Sequence, residues 1–369
     1  MLTPRELRHD LHQHPELSLH EHRTTRVIKN NVEELFKKFS CDFSLLQPLE
    51  TGLIIDYNPV NSDYILLRAD IDALPIKEKS GAKFHSLNDN MHACGHDLHT
   101  AILYGVLQYV LKNQIQQNII FLFQPAEEEN GGAQKILDSG VLDKYNISEA
   151  FALHVTDEYK HGILASRPRV LFASSLELDI HFSGRSSHIA FPDQGRNALL
   201  ALTNFLNQVD SIVGEKTNEA VLGFGQAKAG KARNIIARKA QLMGTLRTST
   251  MEKADYYVKR LEDVLCTIQK STGVDYELQK GAQYREVYND PILFQKFRYS
   301  LPRNFSFIQC SMKMTAEDFG YFTEQYPAVM LWLGTRKGEH QAGLHNPKFC
   351  PSDDIIDTGI EVYKTLLNM

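Results

Sequence analysis

Cys94 and His96 place a thiol and an imidazole on either side of Gly95. Glycine allows the tight turn that lets both side chains reach one ion or two adjacent ones. Glu127, Glu128 and Glu129 follow Gln124-Pro125-Ala126, and single histidines stand at His154 and His345. Thiolate, imidazole and carboxylate together form a donor set for a divalent ion. A bound ion lowers the pKa of a coordinated water to about 7, and a carboxylate in reach takes that proton to a leaving group. Either Glu127 or Glu128 suits each task, ligand or base, whereas Glu129 reads as a solvated surface acid. Asp70 and Asp72 alternate across a strand end, so one can face the donors and hold a ligand histidine by its second ring nitrogen. His92 and His99 read as polar contacts at a helix start, His154 as a ligand or a satisfied buried histidine, and His345 as a ligand or a turn residue.

The elements that must position these groups are legible as apolar runs. Residues 64–69 lead into Asp70, residues 118–123 into Gln124, and residues 147–153 into His154, taken as the end of its strand. Short continuous runs suit strands buried on both faces, and ligand groups at their carboxyl ends gather in one crevice. Thr3, Pro4 and Glu6 form a capping box at the start of a helix, with Leu2 and Leu7 as its staple. Ile28, Val32, Leu35, Phe36 and Phe39 fall at helical spacing, as do Leu98, Ile102, Gly105 and Tyr109. This alternation predicts an α/β fold with a mixed sheet between helices.

Near Leu171 the pattern changes. Residues 176–182 alternate strictly, as in a strand with one wet face. A helix over 197–213, strands over 220–227 and 234–247, a helix over 251–269 and a strand over 274–279 complete the β-α-β-β-α-β order of a ferredoxin-like α+β domain. The first pattern then resumes with a helix near Pro291, a strand over 305–310, a helix from Ala316, a strand over 328–333 and a closing helix over 353–367 capped by Ser352. Residues 1–171 and 285–369 thus form one domain, interrupted by an insert over 172–284 that is entered and left through two crossings.

Bulk properties exclude several classes. Hydrophobic residues make up 43% and charged residues 23% of the 369, with a formal net charge of -5. That balance points to no nucleic-acid or membrane-surface partner. No apolar stretch approaches the ~20 residues of a membrane span, and the N-terminus reads as a helix start rather than a secretory leader. Cys41, Cys94, Cys266, Cys310 and Cys350 are odd in number and lack paired spacing, which favours a reducing, cytoplasmic setting. Of these only Cys94 is flanked by histidines.

Taken in order, Leu67-Arg68-Ala69-Asp70-Ile71-Asp72-Ala73-Leu74-Pro75, His92-Ala93-Cys94-Gly95-His96-Asp97, Gln124-Pro125-Ala126-Glu127-Glu128 and Leu153-His154-Val155 resemble the amidohydrolase branch of the M20 metallopeptidase family. Leu11-His12-Gln13-His14-Pro15-Glu16-Leu17 and Met314-Thr315-Ala316-Glu317-Asp318-Phe319 match it too, so the resemblance spans essentially the whole chain. It implies a catalytic domain of the metal-dependent exopeptidase type, with the insert as lid and dimerisation domain of a homodimer. It implies two divalent metal ions, from among Zn, Mn, Co and Ni, held by Cys94, His96, Glu128, His154 and His345, with Cys94 bridging. Glu127 would be the catalytic base and then acid, and Asp70 the favoured supporting aspartate. Gly184-Arg185-Ser186-Ser187-His188 is similar to the segment whose histidine polarises the scissile carbonyl, with Arg185-Ser186-Ser187 where glycine-rich residues are commoner. Asn234 and Arg247 match positions near the substrate carboxylate.

The activity implied is removal of the acetyl group from N-acetyl-L,L-2,6-diaminopimelate, on a route to lysine. A general N-acyl-amino-acid amidohydrolase or hippurate-type hydrolase is the alternative with the same site. A non-catalytic metal-dependent binding protein is the alternative of another class, and Glu127 argues against it, since a binding site needs no spare carboxylate beside its ligands.

Overall fold

The computed structural model describes residues 1–41, 43–60, 63–129, 131–213, 219–339 and 342–369. They divide into two compact units, one of Met1–Leu171, Tyr288–Ser311 and Asp318–Met369, the other of Phe172–Val287 with Met312–Glu317. The last segment groups with the second unit because Ala173 N donates to Lys313 O at 2.9 Å and to Thr315 O at 3.0 Å. The sequence had placed it in the first, with only two crossings.

In the first unit, eight described strands form one mixed sheet. Its order is Ser44–Leu46, Leu53–Tyr57, Asn118–Gln124, Tyr64–Asp70, Ile147–Lys160, Ala328–Arg336, Leu164–Ser166 and Phe307–Gln309. The central four strands, from Asn118–Gln124 to Ala328–Arg336, run parallel. Ile119 to Phe123 and Leu66 to Leu67 are fully buried, as both-face coverage requires. Register sets Asp70 opposite Gln124 and Trp332 opposite His154, so the functional ends share one edge. His154 does not end its strand. Pairing with Ala328–Arg336 carries the strand on to Lys160.

Helices pack over this sheet. Pro4–Gln13 carries the expected box: Glu6 N donates to Thr3 Oγ1 at 3.3 Å and Thr3 N to Glu6 Oε2 at 2.8 Å. His22–Phe39 buries Ile28, Val32, Leu35 and Phe36 on one face. His96–Asn113 is buried nearly all round, so its sequence shows only weak periodicity. The closing helix Asp354–Leu367 begins after Asp353 with no side-chain cap, and the Ser352 hydroxyl donates to Asp354 Oδ2 at 3.1 Å instead. The helix expected from Ala316 starts only at Gly320, because Asp318 is engaged elsewhere.

The second unit has its own core, centred on Leu176, Leu178, Ile180, Phe182, Phe205 and Leu261. Strands Ser174–Ser183, Ala220–Ala229, Lys239–Thr248 and Asp275–Tyr284 alternate with helices Ala198–Val213 and Met251–Thr272. The antiparallel order, Asp275–Tyr284, Ser174–Ser183, Lys239–Thr248, Ala220–Ala229, is ferredoxin-like. The strand expected from Asn234 begins at Lys239, since Ile189 N takes Asn234 O at 3.0 Å in a separate loop pairing.

Candidate metal centre

Gly95 stands at the N-cap of the helix His96–Asn113 with φ 89°, and a β-carbon there would lie 2.5 Å from Val155 Cγ2. Only glycine takes that conformation in that space. The turn sends Cys94 Sγ to 3.4 Å from His154 Nε2. His154 Nδ1 donates to Val155 O at 2.7 Å, which fixes the tautomer and leaves Nε2 with its lone pair facing the thiol. His96 repeats the device: Nδ1 lies 3.0 Å from Asp72 O and 3.1 Å from Asp72 Oδ1. Of the two aspartates, Asp72 makes this contact. Asp70 instead accepts from His99 Nδ1 at 2.6 Å and from Arg68 Nη1 at 2.8 Å, with its Oδ2 3.7 Å from His96 Nε2.

Glu127 and Glu128 both converge on His96 Nε2, Glu127 Oε2 at 3.9 Å and Glu128 Oε1 at 3.8 Å. His345, at φ 60° in its loop, donates its backbone N–H to Ala93 O at 2.9 Å and sets its Nε2 3.5 Å from Glu128 Oε1. Cys94, His96, Glu127, Glu128, His154 and His345 are therefore brought together in the first unit. Ligand atoms of Cys94, His96 and Glu128 lie within 4.8 Å of one another, as do those of Asp70, His96, His99 and His154. His99 is occupied otherwise, because its Nε2 accepts from Val155 N at 2.9 Å.

The donor set fits a divalent ion, as its own unmet bonds show. His96 Nε2 and Glu128 Oε1 are buried and have no hydrogen-bond partner among the described residues, an expensive condition unless a cation takes both. The electrostatics agree. Burial would lower His96, yet Asp70, Asp72 and Glu128 push it up to about 10. Burial, with Glu128 and Glu127 nearby, pushes the Cys94 thiol well up. Burial would raise Asp70, but His96, His99 and Arg68 hold it well below the usual carboxylate range. This is a pocket of negative potential, as a cation site requires.

His188, Asn234 and Arg247 belong to the second unit. His188 is exposed, pairs with Ile235 across a short bridge, and accepts Ala190 N at its Nδ1 at 3.1 Å. Asn234 is exposed on the segment facing it. Arg247 lies opposite Ser175 and Val221 in the sheet, its guanidinium lowered by burial against the raising influence of Tyr284 and Glu177.

A model of peptidase family M20/M25/M40 matches residues 66–369. The chain belongs to that family. It is a hydrolase of amide bonds. An N-acetyldiaminopimelate deacetylase of Exiguobacterium sibiricum is 36% identical over 356 residues, covering 95% of each chain. The enzyme of that name from Bacillus cytotoxicus is 35% identical over 365 residues, 96% of this chain and 95% of its own. Among solved structures, the Bacillus subtilis YXEP protein, described as a dinuclear metal-binding peptidase of the M20 family, superposes with a TM-score of 0.85 at 27% identity, covering 99% of this chain and 96% of that one.

Behind the centre of this M20 chain lies a buried charged network that periodicity did not reveal. Arg68 donates to Gln124 Oε1 at 2.8 Å and to Asp318 Oδ1 at 2.9 Å, and Gln124 Nε2 donates to Asp318 Oδ2 at 2.8 Å. On the other side Asp97 accepts from Arg8 Nε at 3.1 Å and His12 Nδ1 at 2.8 Å. A signal existed for the first group: an arginine inside an apolar run needs a buried partner. His92 was misread. It precedes the helix, and burial pushes it down to about 4 with neither ring nitrogen hydrogen-bonded among the described residues.

Proposed function

We propose that this M20 chain hydrolyses N-acetyl-L,L-2,6-diaminopimelate to acetate and L,L-2,6-diaminopimelate, using two divalent ions held by Cys94, His96, Glu128, His154 and His345. The observation that carries the substrate is the near full-length identity to deacetylases of that name. When bound, the ions supply Lewis acidity and make water acidic enough to attack at neutral pH. Glu127 takes the proton of the attacking water and passes it to the amine nitrogen as the C–N bond breaks, so the oxygen–carbon bond formed yields acetate. This reading gives Glu128 the ligand's task because its Oε1 lies 3.5 Å from His345 Nε2 as well as near His96, and leaves the base's task to Glu127. Asp72 orients His96, and Asp70 pairs with Arg68 and accepts from His99 Nδ1 behind it.

The second unit acts in this reading as a lid. His188 donates to the acyl oxygen as negative charge develops there, and Arg247 with Asn234 holds the substrate carboxylate. It also carries the contact of a homodimer. Two features support that: Leu199, Leu200 and Leu206 are exposed on Ala198–Val213, and Ala220–Ala229 is the sheet's edge strand with its own Val221 exposed. A cytoplasmic setting completes the reading. No helix among the described residues is long and apolar enough to cross a membrane.

The test is steady-state hydrolysis of acetyl-diaminopimelate, acetyl-lysine, acetyl-methionine and hippurate by purified enzyme with metal added back. The highest kcat/KM falls on acetyl-diaminopimelate. A preference for hippurate or acetyl-methionine would assign the general amidohydrolase activity instead.

A further inference from the structure

We infer that Glu21 is a positioning residue that sets the pose of Glu127 by holding the backbone at Ala126. The inference rests on the reading of Glu127 as the base. Glu21 precedes the helix His22–Phe39 yet makes no side-chain cap for it. Its carboxylate turns inward, fully buried, where Oε1 accepts from Ala126 N and Oε2 from Thr51 Oγ1, both at 2.8 Å.

Ala126 needs that acceptor. It is a buried non-glycine residue at φ 58°, in the left-handed region that side chains rarely adopt. A conformation of this kind persists where its surroundings over-determine it. Here they do. Gly132 N donates to Ala126 O at 2.8 Å. On the other side Gly52, itself held by Thr25 Oγ1 at 2.8 Å, lies so close that a β-carbon on it would sit 2.5 Å from Pro125 Cδ. Asp72 Oδ2 then accepts from Glu128 N at 3.0 Å. The amides on either side of Glu127 are thus each gripped by a buried carboxylate, and the strained turn between them aims its side chain.

Glu21 is costly to bury. Burial and the nearby Asp72 charge push its carboxyl up to about 7, and its bonds to Ala126 N and Thr51 Oγ1 offset that cost. Such a group is retained for the hydrogen bonds it makes, and those bonds end at the segment bearing the base. A displacement of about 1 Å in a catalytic group is enough to cost ~10²-fold in rate.

Kinetics and metal content of Glu21→Ala and Glu21→Gln, with the wild type in the same assay, test the inference. Glutamine keeps an oxygen for Ala126 N, and alanine does not. Glu21→Ala should lower kcat by at least ~10-fold with KM and bound metal unchanged, and Glu21→Gln should restore most of the loss. If Glu21→Ala does not fold, Glu21→Asp, shorter by one carbon, takes its place against the same glutamine variant. Wild-type kcat in Glu21→Ala, no recovery in Glu21→Gln, or loss of metal in step with turnover overturns the inference. Failure of the wild type to hydrolyse any acyl amino acid overturns the proposed function and this inference together. Hydrolysis by wild type with an indifferent Glu21→Ala overturns this inference alone.

Discussion

Asp72 grips His96 through Nδ1, 3.1 Å from its Oδ1, which leaves Nε2 as the nitrogen that would hold a metal ion. The same carboxylate accepts Glu128 N at 3.0 Å and Ser18 Oγ at 2.7 Å through Oδ2. One buried side chain therefore orients two proposed ligands from different segments. Asp72→Ala should weaken metal binding ~10–100-fold, the usual cost of removing such an orienting group. Metal titration of the chelated protein checks this, and unchanged affinity would free Asp72 from the role.

Cys94 and His154 offer a direct readout of occupancy. Trp332, the chain's single tryptophan, stands edge-on to His154 with ring centroids 5.0 Å apart. Adding Mn, Co, Ni or Zn to chelated protein should alter its fluorescence in step with the return of hydrolysis. Cys94→Ala should lose both responses, because a shared thiolate leaves neither ion fully coordinated when it is removed. Full activity in Cys94→Ala at normal metal content would sink the bridging role.

His188 and Arg247 should separate in their kinetics. In the proposed role His188 would stabilise charge that exists mainly in the transition state, so His188→Ala should lower kcat with little change in KM. Arg247 in its proposed role would hold a carboxylate already present in the ground state, so Arg247→Ala should chiefly raise KM. If His188 serves the partner's site, mixing inactive Glu127→Gln and His188→Ala subunits restores part of the activity. No rescue in verified mixed dimers would assign it to its own subunit.

His12 predicts a pH dependence of stability. Burial would lower it, but Asp97 and Glu78 raise it to about 9. Because the folded value exceeds the unfolded one near 6.5, its contribution is full below pH 6.5 and is lost as pH rises through about 9. The stability advantage of wild type over His12→Gln should therefore shrink between those values, by something on the order of 3 kcal/mol. Urea unfolding at pH 6 and pH 9.5 measures it. A constant difference would mean that His12 does not titrate in this window.

What local pattern could show, it showed. The alternation in 176–182 marked a strand with one wet face, and Ser174–Ser183 buries Leu176, Leu178, Ile180 and Phe182 while Glu177 is exposed. Thr3 and Glu6 form their box because both partners lie within one turn. What failed depends on distant chain. Arg68 and Asp318 are 250 residues apart, so the arginine in its apolar run signalled a buried partner without saying which, and the delayed start of Gly320–Gln325 had no local signature. The choice between Asp70 and Asp72 likewise turned on which way the strand end faced His96, which only the packed helix His96–Asn113 decides. His154 sat beyond the apolar run, yet its strand continues because Ala328–Arg336 supplies a partner from far down the chain.

Metal content and turnover, measured together on Glu127→Gln and Glu128→Gln, test the central claim most directly. The account predicts that Glu127→Gln keeps its fold and metal but slows by the ~10²–10⁴-fold of a lost acid–base group. It predicts that Glu128→Gln binds metal more weakly. Loss of metal in Glu127→Gln with full occupancy in Glu128→Gln would reverse the two roles, and wild-type turnover in Glu127→Gln would contradict the account.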